Sequence, residues 1–349
     1  MPIPYRKVNC GAPGISRRRR GRGFEYLDVR GKRVDDAETI ARIRALGIPP
    51  AWKDVWICAD PRGHLQAVGT DAAGRKQYIY HEAWHRRRDQ QKFDNMVEFA
   101  RSLPEIRSMT GEHLALPGMP RERALACAVR LLDRGFFRVG GEAYAEKNRS
   151  YGLATMRKEH VTLKGKEVIF EYVAKSGKER IQSVVDPLVF DAVAQMKRRR
   201  GGGAELLAYK DATGWRDVRS SDINDYLKDV ADDDYSAKDF RTWHATVHCT
   251  LALAVSYAAA SSKTARKRAV TRAVKEVAHY LGNTPVVCRR SYIDPRVIDR
   301  FDSGVVITGI VEQIAEHDAM SEGSLAIVEE AVLDLLAGDM KSDLLEKVA

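Results

Sequence analysis

Hydrophobic and polar positions follow different patterns in the two parts of this chain. Between residues 24 and 80 the apolar residues form short runs rich in Val, Ile, Tyr and Trp, and glycine or proline separates the runs. Such runs are typical of strands in a small sheet. A helix is predicted among them over Asp36–Leu46. The predicted strands are Phe24–Val29, Val55–Cys58, His64–Gly69 and Gln77–Tyr80.

From residue 81 onward the apolar positions mostly follow the helical period. Glu122–Arg134 carries its Leu and Val residues on one face. Thr264–Leu281 has an apolar face opposite a basic one, and Gly282 marks its end. Two closing helices are predicted, over Glu312–Glu316 and Ser324–Leu336. This region is therefore predicted to be mostly α-helical.

One strand-rich segment interrupts the helices. Its strands are joined by turns at residues 164–166 and 175–178, which predicts a three-stranded antiparallel unit. The whole pattern predicts an α+β fold. It comprises a flexible basic N-terminal arm (residues 1–23), a small N-terminal antiparallel β-rich domain (24–90) and a larger, mostly α-helical domain (91–349). The strands of the three-stranded unit are Glu159–Leu163, Glu167–Val173 and Arg180–Val184.

Length and charge agree with two domains and a polyanionic partner. At 349 residues the chain is longer than a typical domain with a single hydrophobic core. The formal net charge is +10, but residues 303–349 hold ten carboxylates against two lysines, so the first 302 residues carry about +18. A basic body of this kind indicates a polyanion as partner, although a solubilising charge excess would look the same. Five arginines among residues 17–22 predict that the basic arm is mobile.

Cysteine usage and hydropathy indicate a cytoplasmic protein that does not enter a membrane. The five cysteines are scattered and form no C-x-x-C pair, which favours reduced thiols. No apolar run approaches the roughly 20 residues of a membrane span. The N-terminus also lacks the apolar core of a signal peptide.

Motifs for metal or nucleotide chemistry are weak or missing in the sequence. His81–His85 reads H-E-x-x-H, the zinc-protease pattern, but three arginines follow directly and would repel a dication. Gly69–Lys76 has the glycine spacing of a phosphate-binding loop without its Lys-Ser/Thr ending. The sequence therefore predicts neither a metal nor a nucleotide cofactor.

Five cationic and polar residues, each a weak signal alone, form a candidate site. Arg138 follows two phenylalanines and Arg241 lies between apolar neighbours, so either could instead form a structural ion pair. Lys175 occupies a hairpin turn, where a solvated lysine is the ordinary finding. Asn283 and Tyr292 follow a basic helix, where Tyr292 would otherwise be a surface tyrosine.

Together these residues supply the parts of a metal-free transesterification at a phosphodiester. The planar forks of two arginines match the non-bridging oxygens and stabilise the charge that those oxygens gain. A lysine made more acidic by neighbouring cations can protonate the leaving alkoxide. Asn283 can donate an amide N–H to a phosphate oxygen. Tyr292 would attack the phosphorus.

The order of these motifs resembles the type IB DNA topoisomerases in their compact poxvirus and bacterial form. The resemblance extends from residue 24 to residue 300. It includes a DNA-contacting element of the N-terminal domain, two arginine motifs, a lysine hairpin and a nucleophile segment. The matching motifs are, in chain order, Gly69–His81, Phe137–Gly140, Tyr151–Thr155, Tyr172–Lys178, Lys238–Thr242, Gly282–Pro285 and Arg290–Tyr292.

The resemblance implies a C-shaped clamp around duplex DNA that relaxes supercoils without ATP or metal. It implies that Tyr292 is the nucleophile and forms a 3′-phosphotyrosyl link. It implies that Lys175 protonates the departing 5′ oxygen. Arg138, Arg241 and Asn283 would hold the non-bridging oxygens of the phosphate.

The resemblance also implies DNA contacts, and it contains one departure from the family pattern. The poxvirus and recombinase pattern has histidine where this chain has Asn283. Asparagine donates a hydrogen bond but carries no proton, so this position is expected to act as a donor and not as an acid or base. The activity is expected to survive that change. The implied DNA contacts are Arg75, Lys76, Gln77, Tyr78 and Tyr80, with Tyr144 as a further candidate.

Two other interpretations remain open. A site-specific tyrosine recombinase shares the catalytic set, but it usually has a helical N-terminal domain, against which the strands over residues 24–80 argue. A non-catalytic basic DNA-binding clamp would show the same charge distribution. We expect a monomer that acts on duplex DNA and associates with the nucleoid.

Overall fold

Five strands of the N-terminal part form one antiparallel sheet: β1 (Ile15–Arg20), β2 (Gly23–Leu27), β3 (Lys53–Ile57), β4 (Leu65–Thr70) and β5 (Lys76–Tyr80). Their order across the sheet is β2-β1-β3-β4-β5. Helix α1 (Ala37–Ala45) begins after Asp36, whose carboxylate accepts a hydrogen bond from the Thr39 amide. Ile43 of this helix joins a buried cluster with four residues of the sheet. The four predicted strands and the predicted helix are therefore confirmed.

The prediction of a mobile basic arm over residues 1–23 is wrong at residues 15–20, which form β1. This strand pairs with β2 along its length and with β3 at its start. Ile15 is buried in the core. Arg17 donates to the carbonyl of Trp52 (2.7 Å), and Arg18 pairs with Glu25 of the neighbouring strand (2.6 Å). Carbonyl and carboxylate acceptors hold these arginines, so the charge run does not keep the segment unfolded.

The computed structural model describes residues 5–307, 309–310, 322–339 and 342–347. The chain divides into two compact units, Met1–Phe93 and Asp94–Ala349, where we predicted a boundary between residues 90 and 91. Most of the second unit is helical, as predicted. The described helices after α1 are α2 (Glu82–Leu114), α3 (Arg121–Gly135), α4 (Glu142–Asn148), α5 (Pro187–Arg198), α6 (Ser220–Ala231), α7 (Ala237–Tyr257), α8 (Lys263–Leu281), α9 (Pro285–Ser291), α10 (Pro295–Asp302) and α11 (Glu322–Ala337).

The predicted three-stranded antiparallel unit is confirmed. It consists of β6 (Val161–Lys164), β7 (Glu167–Ala174) and β8 (Lys178–Val185) in the order β6-β7-β8. The turn between β7 and β8 is tight, with φ of +69° at Ser176 and +71° at Gly177. Two further strand pairs were not predicted. They are β9 (Ala208–Asp211) with β10 (Gly214–Asp217), and β11 (Val305–Val306) with β12 (Glu346–Lys347).

The connection between α8 and α9 is short, and its residues determine where both helices end. Gly282 terminates α8 in the left-handed region (φ +64°), which suits glycine, so the predicted stop is confirmed. Thr284 starts α9 by accepting a hydrogen bond from the Val287 amide (3.4 Å), and Pro285 supplies the first helical residue. Asn283 is thereby held between two helix ends.

The acidic helix α11 packs on the second unit through a buried ion-pair network. Glu329 pairs with Arg107 of α2 (2.6 Å) and accepts a hydrogen bond from the Trp243 indole of α7 (3.0 Å). Arg107 also pairs with Asp133 of α3 (2.9 Å). Burial alone would raise the pKa of Asp133, but the nearby His244 ring (3.5 Å) and the hydrogen-bonded Arg107 hold that pKa well below its usual range. One arginine thus joins three helices.

Further predictions concern the C-terminal helices, membrane-spanning helices and the thiols. The closing helix predicted over Ser324–Leu336 is confirmed by α11. The one predicted over Glu312–Glu316 lies outside the described residues. In the described part of the chain, no helix is long and apolar enough to cross a membrane. All five cysteines are free thiols.

Glu329→Gln is expected to destabilise the second unit, because it removes one of the two buried carboxylates that bind Arg107. We expect the free energy of unfolding in urea to fall by about 2–3 kcal/mol. The matched control is Glu330→Gln on the same helix, where the side chain is exposed and the change should stay within about 0.5 kcal/mol. Equal stability of the two variants would contradict the assigned network.

Candidate active site

The segment that carries Arg138 is held by its backbone. Helix α3 ends at Gly135, and the next residue, Phe136, adopts a left-handed conformation (φ +55°). Two residues later the carbonyl of Arg138 accepts a hydrogen bond from the Leu153 amide (2.8 Å). Gly152 lies so close that a Cβ added to it would stand 2.8 Å from the Arg138 carbonyl oxygen. The stretch Tyr151–Thr155 thus acts as a support for the arginine segment.

The Arg138 side chain contacts the connection that follows α8. Its Nη2 donates to the carbonyl of Gly282 (3.3 Å) and to the amide oxygen of Asn283. Burial lowers the pKa of Arg138. Both hydrogen bonds use Nη2, and within the described part of the chain no acceptor takes a hydrogen bond from Nη1.

Arg241 lies in the interior of the second unit, on α7. Only 4% of it is exposed. It donates to the carbonyls of Phe136 and Leu281, the second at 2.8 Å. Burial, assisted by the charge of Arg138, lowers the pKa of Arg241 to about 10, so it remains a cation at neutral pH. Both predicted arginines are therefore bound to backbone carbonyls and not to carboxylates, unlike the ion-pair alternative.

A third arginine, Arg180 of β8, also binds the end of α8. It donates to the carbonyls of His279 (2.7 Å) and Tyr280. The four successive carbonyls of residues 279–282, here called the α8 carboxyl end, thus bind Arg180, Arg241 and Arg138. Helix ends leave such carbonyls unpaired and carry a partial negative charge, so they favour cations. No sequence motif pointed to Arg180.

Tyr292 directly follows α9 and lies against Arg241. The guanidinium carbon of Arg241 is 5.5 Å from the centroid of the Tyr292 ring. The tyrosine backbone is held on both sides. Its amide donates to the Cys288 carbonyl (2.9 Å), and its carbonyl accepts from the Thr246 hydroxyl (3.3 Å). The backbone of Tyr292 is therefore bound to both α9 and α7.

Asn283 presents an unused donor. Its amide oxygen must be the atom that accepts from Arg138, because a guanidinium donates only. Its Nδ2 is buried and has no hydrogen-bond partner among the described residues. A buried N–H without an acceptor is costly, so a ligand oxygen placed there would bind favourably. Arg138, Arg241, Asn283 and Tyr292 are thus brought together as predicted.

Lys175, in contrast, does not contact that group. It is exposed at the tip of the β7–β8 hairpin, and its Nζ lies 5.8 Å from the ring centroid of Tyr144 on α4. Tyr144 is itself 43% exposed. The hairpin is attached near its base, where the Tyr172 hydroxyl donates to Gln182 (2.6 Å) and Gln182 donates to the Gly135 carbonyl.

The residues expected to contact DNA in the first unit lie on and before β5. Asp71 organises the turn by accepting hydrogen bonds from Arg75 (2.9 Å) and Gln77 (2.8 Å). The bonds from Arg75, first its backbone amide and then its side chain, lower the pKa of Asp71 to about 2. The guanidinium of Arg75 and the neighbouring Lys76 are exposed. Gln77 is half-buried and serves the turn.

Aromatic side chains stack on one another from β5 to the start of α2. Tyr78 stacks on Tyr80 with ring centroids 6.1 Å apart, and Tyr80 stacks on Trp84 at 6.2 Å. Tyr78 is 47% exposed. Trp84 was not predicted as part of this surface. The signal in the sequence was its position four residues after Tyr80, the last residue of the predicted strand.

His81 and His85, the two histidines of the H-E-x-x-H pattern, contact neighbouring protein groups. His81 precedes α2, and its Nδ1 accepts a hydrogen bond from the Ala83 amide (3.1 Å). The His85 ring lies edge-on against Tyr80. Among the residues that the structure describes, no group of three or more His, Cys, Asp or Glu could hold a metal ion.

Comparison with known families identifies the class of this site. The family model described as eukaryotic DNA topoisomerase I, catalytic core, matches residues 81–317. A second, described as bacterial DNA topoisomerase IB, N-terminal domain, matches residues 23–71. The chain belongs to the type IB DNA topoisomerase family. Both matches favour this family over the recombinase and the non-catalytic clamp.

Viral relatives agree with this assignment of the type IB topoisomerase. DNA topoisomerase 1B of Acanthamoeba polyphaga mimivirus is 28% identical over 285 residues, which cover 80% of this chain and 85% of the relative. DNA topoisomerase 1B of vaccinia virus (strain Copenhagen) is 19% identical over 234 residues, covering 66% and 71%. The protein is therefore a DNA-binding isomerase that relaxes supercoiled duplex DNA by cleaving and resealing one strand through a tyrosine link.

Gly152→Ala is expected to displace the Arg138 segment of this topoisomerase. The new methyl group would overlap the Arg138 carbonyl, so we expect a loss of about 1–3 kcal/mol in unfolding free energy and slower DNA cleavage. Gly141→Ala is the control, because a Cβ there meets nothing within 4 Å. Urea unfolding and a single-turnover cleavage assay measure the two effects. A Gly152→Ala variant as stable and as fast as Gly141→Ala would contradict the close approach.

Proposed function

We propose that Tyr292 is the nucleophile of this topoisomerase and that Arg138, Arg241 and Asn283 bind the scissile phosphate. Tyr292 attacks the phosphorus, the bond to the 5′ oxygen breaks, and a 3′-phosphotyrosyl ester remains. The tyrosine loses one proton and the 5′ oxygen gains one. The ester conserves the energy of the phosphodiester, so resealing needs no ATP.

The observation that carries this proposal is the convergence of Arg138, Arg241, Asn283 and Tyr292 at the α8 carboxyl end. The phenol, two guanidinium groups and an amide come from four separate sequence segments. The transition state of phosphoryl transfer spreads negative charge over the non-bridging oxygens. One buried and one half-buried cation, Arg241 and Arg138, and a buried N–H without an acceptor among the described residues are groups that stabilise such charge.

Lys175 is proposed to protonate the 5′ oxygen as it leaves. Its exposed position at a hairpin tip suits a group that meets DNA only in the complex. The hairpin holds Lys175 near Tyr144 in the free protein, at 5.8 Å from Nζ to the ring centroid. Tyr144 is proposed to contact DNA from the same surface.

The first unit is proposed to supply further DNA contacts through Arg75, Lys76, Tyr78 and Tyr80. Arginine and lysine suit phosphates, and the exposed stacked ring of Tyr78 suits sugars or base edges. Gln77 is proposed to act through the turn that it supports. The excess positive charge of the first 302 residues supports salt-dependent binding to duplex DNA. We further propose that a monomer acts without nucleotide or metal, in the cytoplasm and on the nucleoid.

The protein is expected to relax supercoiled plasmid in EDTA without ATP and to form a covalent DNA adduct on a peptide that contains Tyr292. Tyr292→Phe should lose both activities, because the phenylalanine ring offers no oxygen. Tyr209→Phe, on β9, serves as the control and should keep them. Gel analysis of plasmid and mass spectrometry of the adduct give the readouts. Relaxation by Tyr292→Phe would exclude this tyrosine as the nucleophile.

Asn283→Ala is expected to slow single-turnover cleavage about 100-fold, because one oxyanion donor is lost. Asn283→His restores a donor and should recover most of that rate. Asn95→Ala, an exposed asparagine on α2, is the control and should leave the rate unchanged. A full rate for Asn283→Ala would show that the unused Nδ2 does not bind the phosphate.

A further inference from the structure

Arg180 occupies a position between the lysine hairpin and the phosphate-binding group. It lies on β8, five residues after Lys175, and directly opposite Tyr172 of β7 in the strand register. Its guanidinium reaches across to α8 and binds the carbonyls of His279 (2.7 Å) and Tyr280. One side chain therefore joins the strand that follows Lys175 to the helix that precedes Asn283.

Among the residues that the structure describes, no other side chain gives the distal part of this hairpin a comparable attachment. Within the described part of the chain, Arg180 makes the side-chain hydrogen bonds that connect residues 174–181 to another element. Lys175 and Glu179 are exposed, and Ile181 is 73% exposed. Residues 175–179 at the tip are all exposed, so little packing holds the tip in place.

The chemistry of this contact favours a fixed geometry. A guanidinium offers two parallel donors, and here each nitrogen takes one of two successive carbonyls. The end of α8 adds the partial negative charge of a helix C-terminus. A Cβ built at Gly282 would stand 3.6 Å from Nη1 of both Arg138 and Arg180, so the two cations share this small space. The intervening carbonyls offset their repulsion.

We propose that Arg180 is the positioning residue that holds the β7–β8 hairpin against the α8 carboxyl end, so that Lys175 reaches the leaving 5′ oxygen. The proposal rests on the proposed role of Lys175 as the acid. Nη1 and Nη2 of Arg180 both bind α8 carbonyls, so we assign this arginine to the attachment of the hairpin and not to the phosphate. Arg241 also binds two carbonyls, but its buried Nε has no partner among the described residues and stays available to a phosphate oxygen. Loss of Arg180 should therefore impair protonation of the leaving group more than binding of the phosphate.

A change of leaving group separates these two effects. The substrate is a duplex in which sulfur replaces the bridging 5′ oxygen at a cleavage site first mapped on mixed-sequence DNA. A thiol has a pKa of about 8.5, far below that of an alcohol, so its thiolate departs without an acid. Arg180→Ala should slow single-turnover cleavage of the oxygen duplex about 10- to 100-fold. On the sulfur duplex it should cleave at nearly the wild-type rate.

Two further variants test whether the effect depends on an arginine at position 180. Arg180→Lys can bind only one carbonyl at a time and should recover part of the rate on the oxygen duplex. Arg216→Ala removes an exposed arginine from the β9–β10 pair and should cleave both duplexes normally. Thermal unfolding of Arg180→Ala tests whether the variant folds. Full cleavage activity on the sulfur duplex is a second test of its folding.

The outcomes distinguish this proposal from the proposed function. If Lys175→Ala is rescued by sulfur but Arg180→Ala is equally slow on both duplexes, or normal on both, only the positioning role is overturned. If sulfur does not rescue Lys175→Ala, the acid assignment fails and the positioning role falls with it. If Tyr292→Phe still forms an adduct, the nucleophile assignment fails on its own.

Discussion

The site depends on the binding of three arginines by the carbonyl oxygens that end one helix. Arg241 is buried and Arg138 and Arg180 are half-buried, so these neighbouring cations repel one another and lose part of their hydration. The α8 carboxyl end compensates for this cost, because its four successive carbonyls accept hydrogen bonds from the three guanidinium groups and carry the partial negative charge of the helix terminus. Carboxylates in that role would have neutralised the cations. Carbonyls orient them and leave their net charge available for a phosphate.

This arrangement also explains why the connection after α8 is so short. Gly282 ends the helix in a left-handed conformation, and Thr284 with Pro285 starts the next one immediately. Asn283 is therefore fixed with its oxygen on Arg138 and its buried Nδ2 unused. The same helix pair places Tyr292 beside Arg241. We propose that an asparagine suffices here, since the position is proposed to supply a hydrogen bond and the proton for the 5′ oxygen is proposed to come from Lys175.

Much of the fold could be predicted from the sequence because its signals are local. Apolar periodicity, the glycine after α8 and the two turns of the three-stranded unit depend on neighbouring residues. Strand β1 was missed because its arginine run looks like a solvated charge cluster, and the acceptors for Arg17 lie more than thirty residues away. The network of Arg107 and Glu329 spans 222 residues and has no local signature.

The candidate site shows the same division between local and tertiary information. Arg138, Arg241, Asn283 and Tyr292 stand in motifs that resemble a family, so they could be named in advance. Arg180 could not be named in advance. Its role depends on backbone carbonyls about 100 residues later in the sequence, and no side-chain motif marks them. Backbone acceptors are present at every residue, so only the fold can select which of them a given arginine will meet.

The central claim is that the α8 carboxyl end holds Arg138, Arg180 and Arg241 in place before DNA binds. NMR of the ¹⁵N-labelled arginine side chains in the DNA-free protein measures this directly, with each signal assigned by its loss in an Arg→Lys variant. We expect resolved, exchange-protected Nη–H signals from these three residues, which indicate slow rotation of their guanidinium groups. Signals averaged by fast rotation, like those expected of the exposed Arg19, would contradict the account.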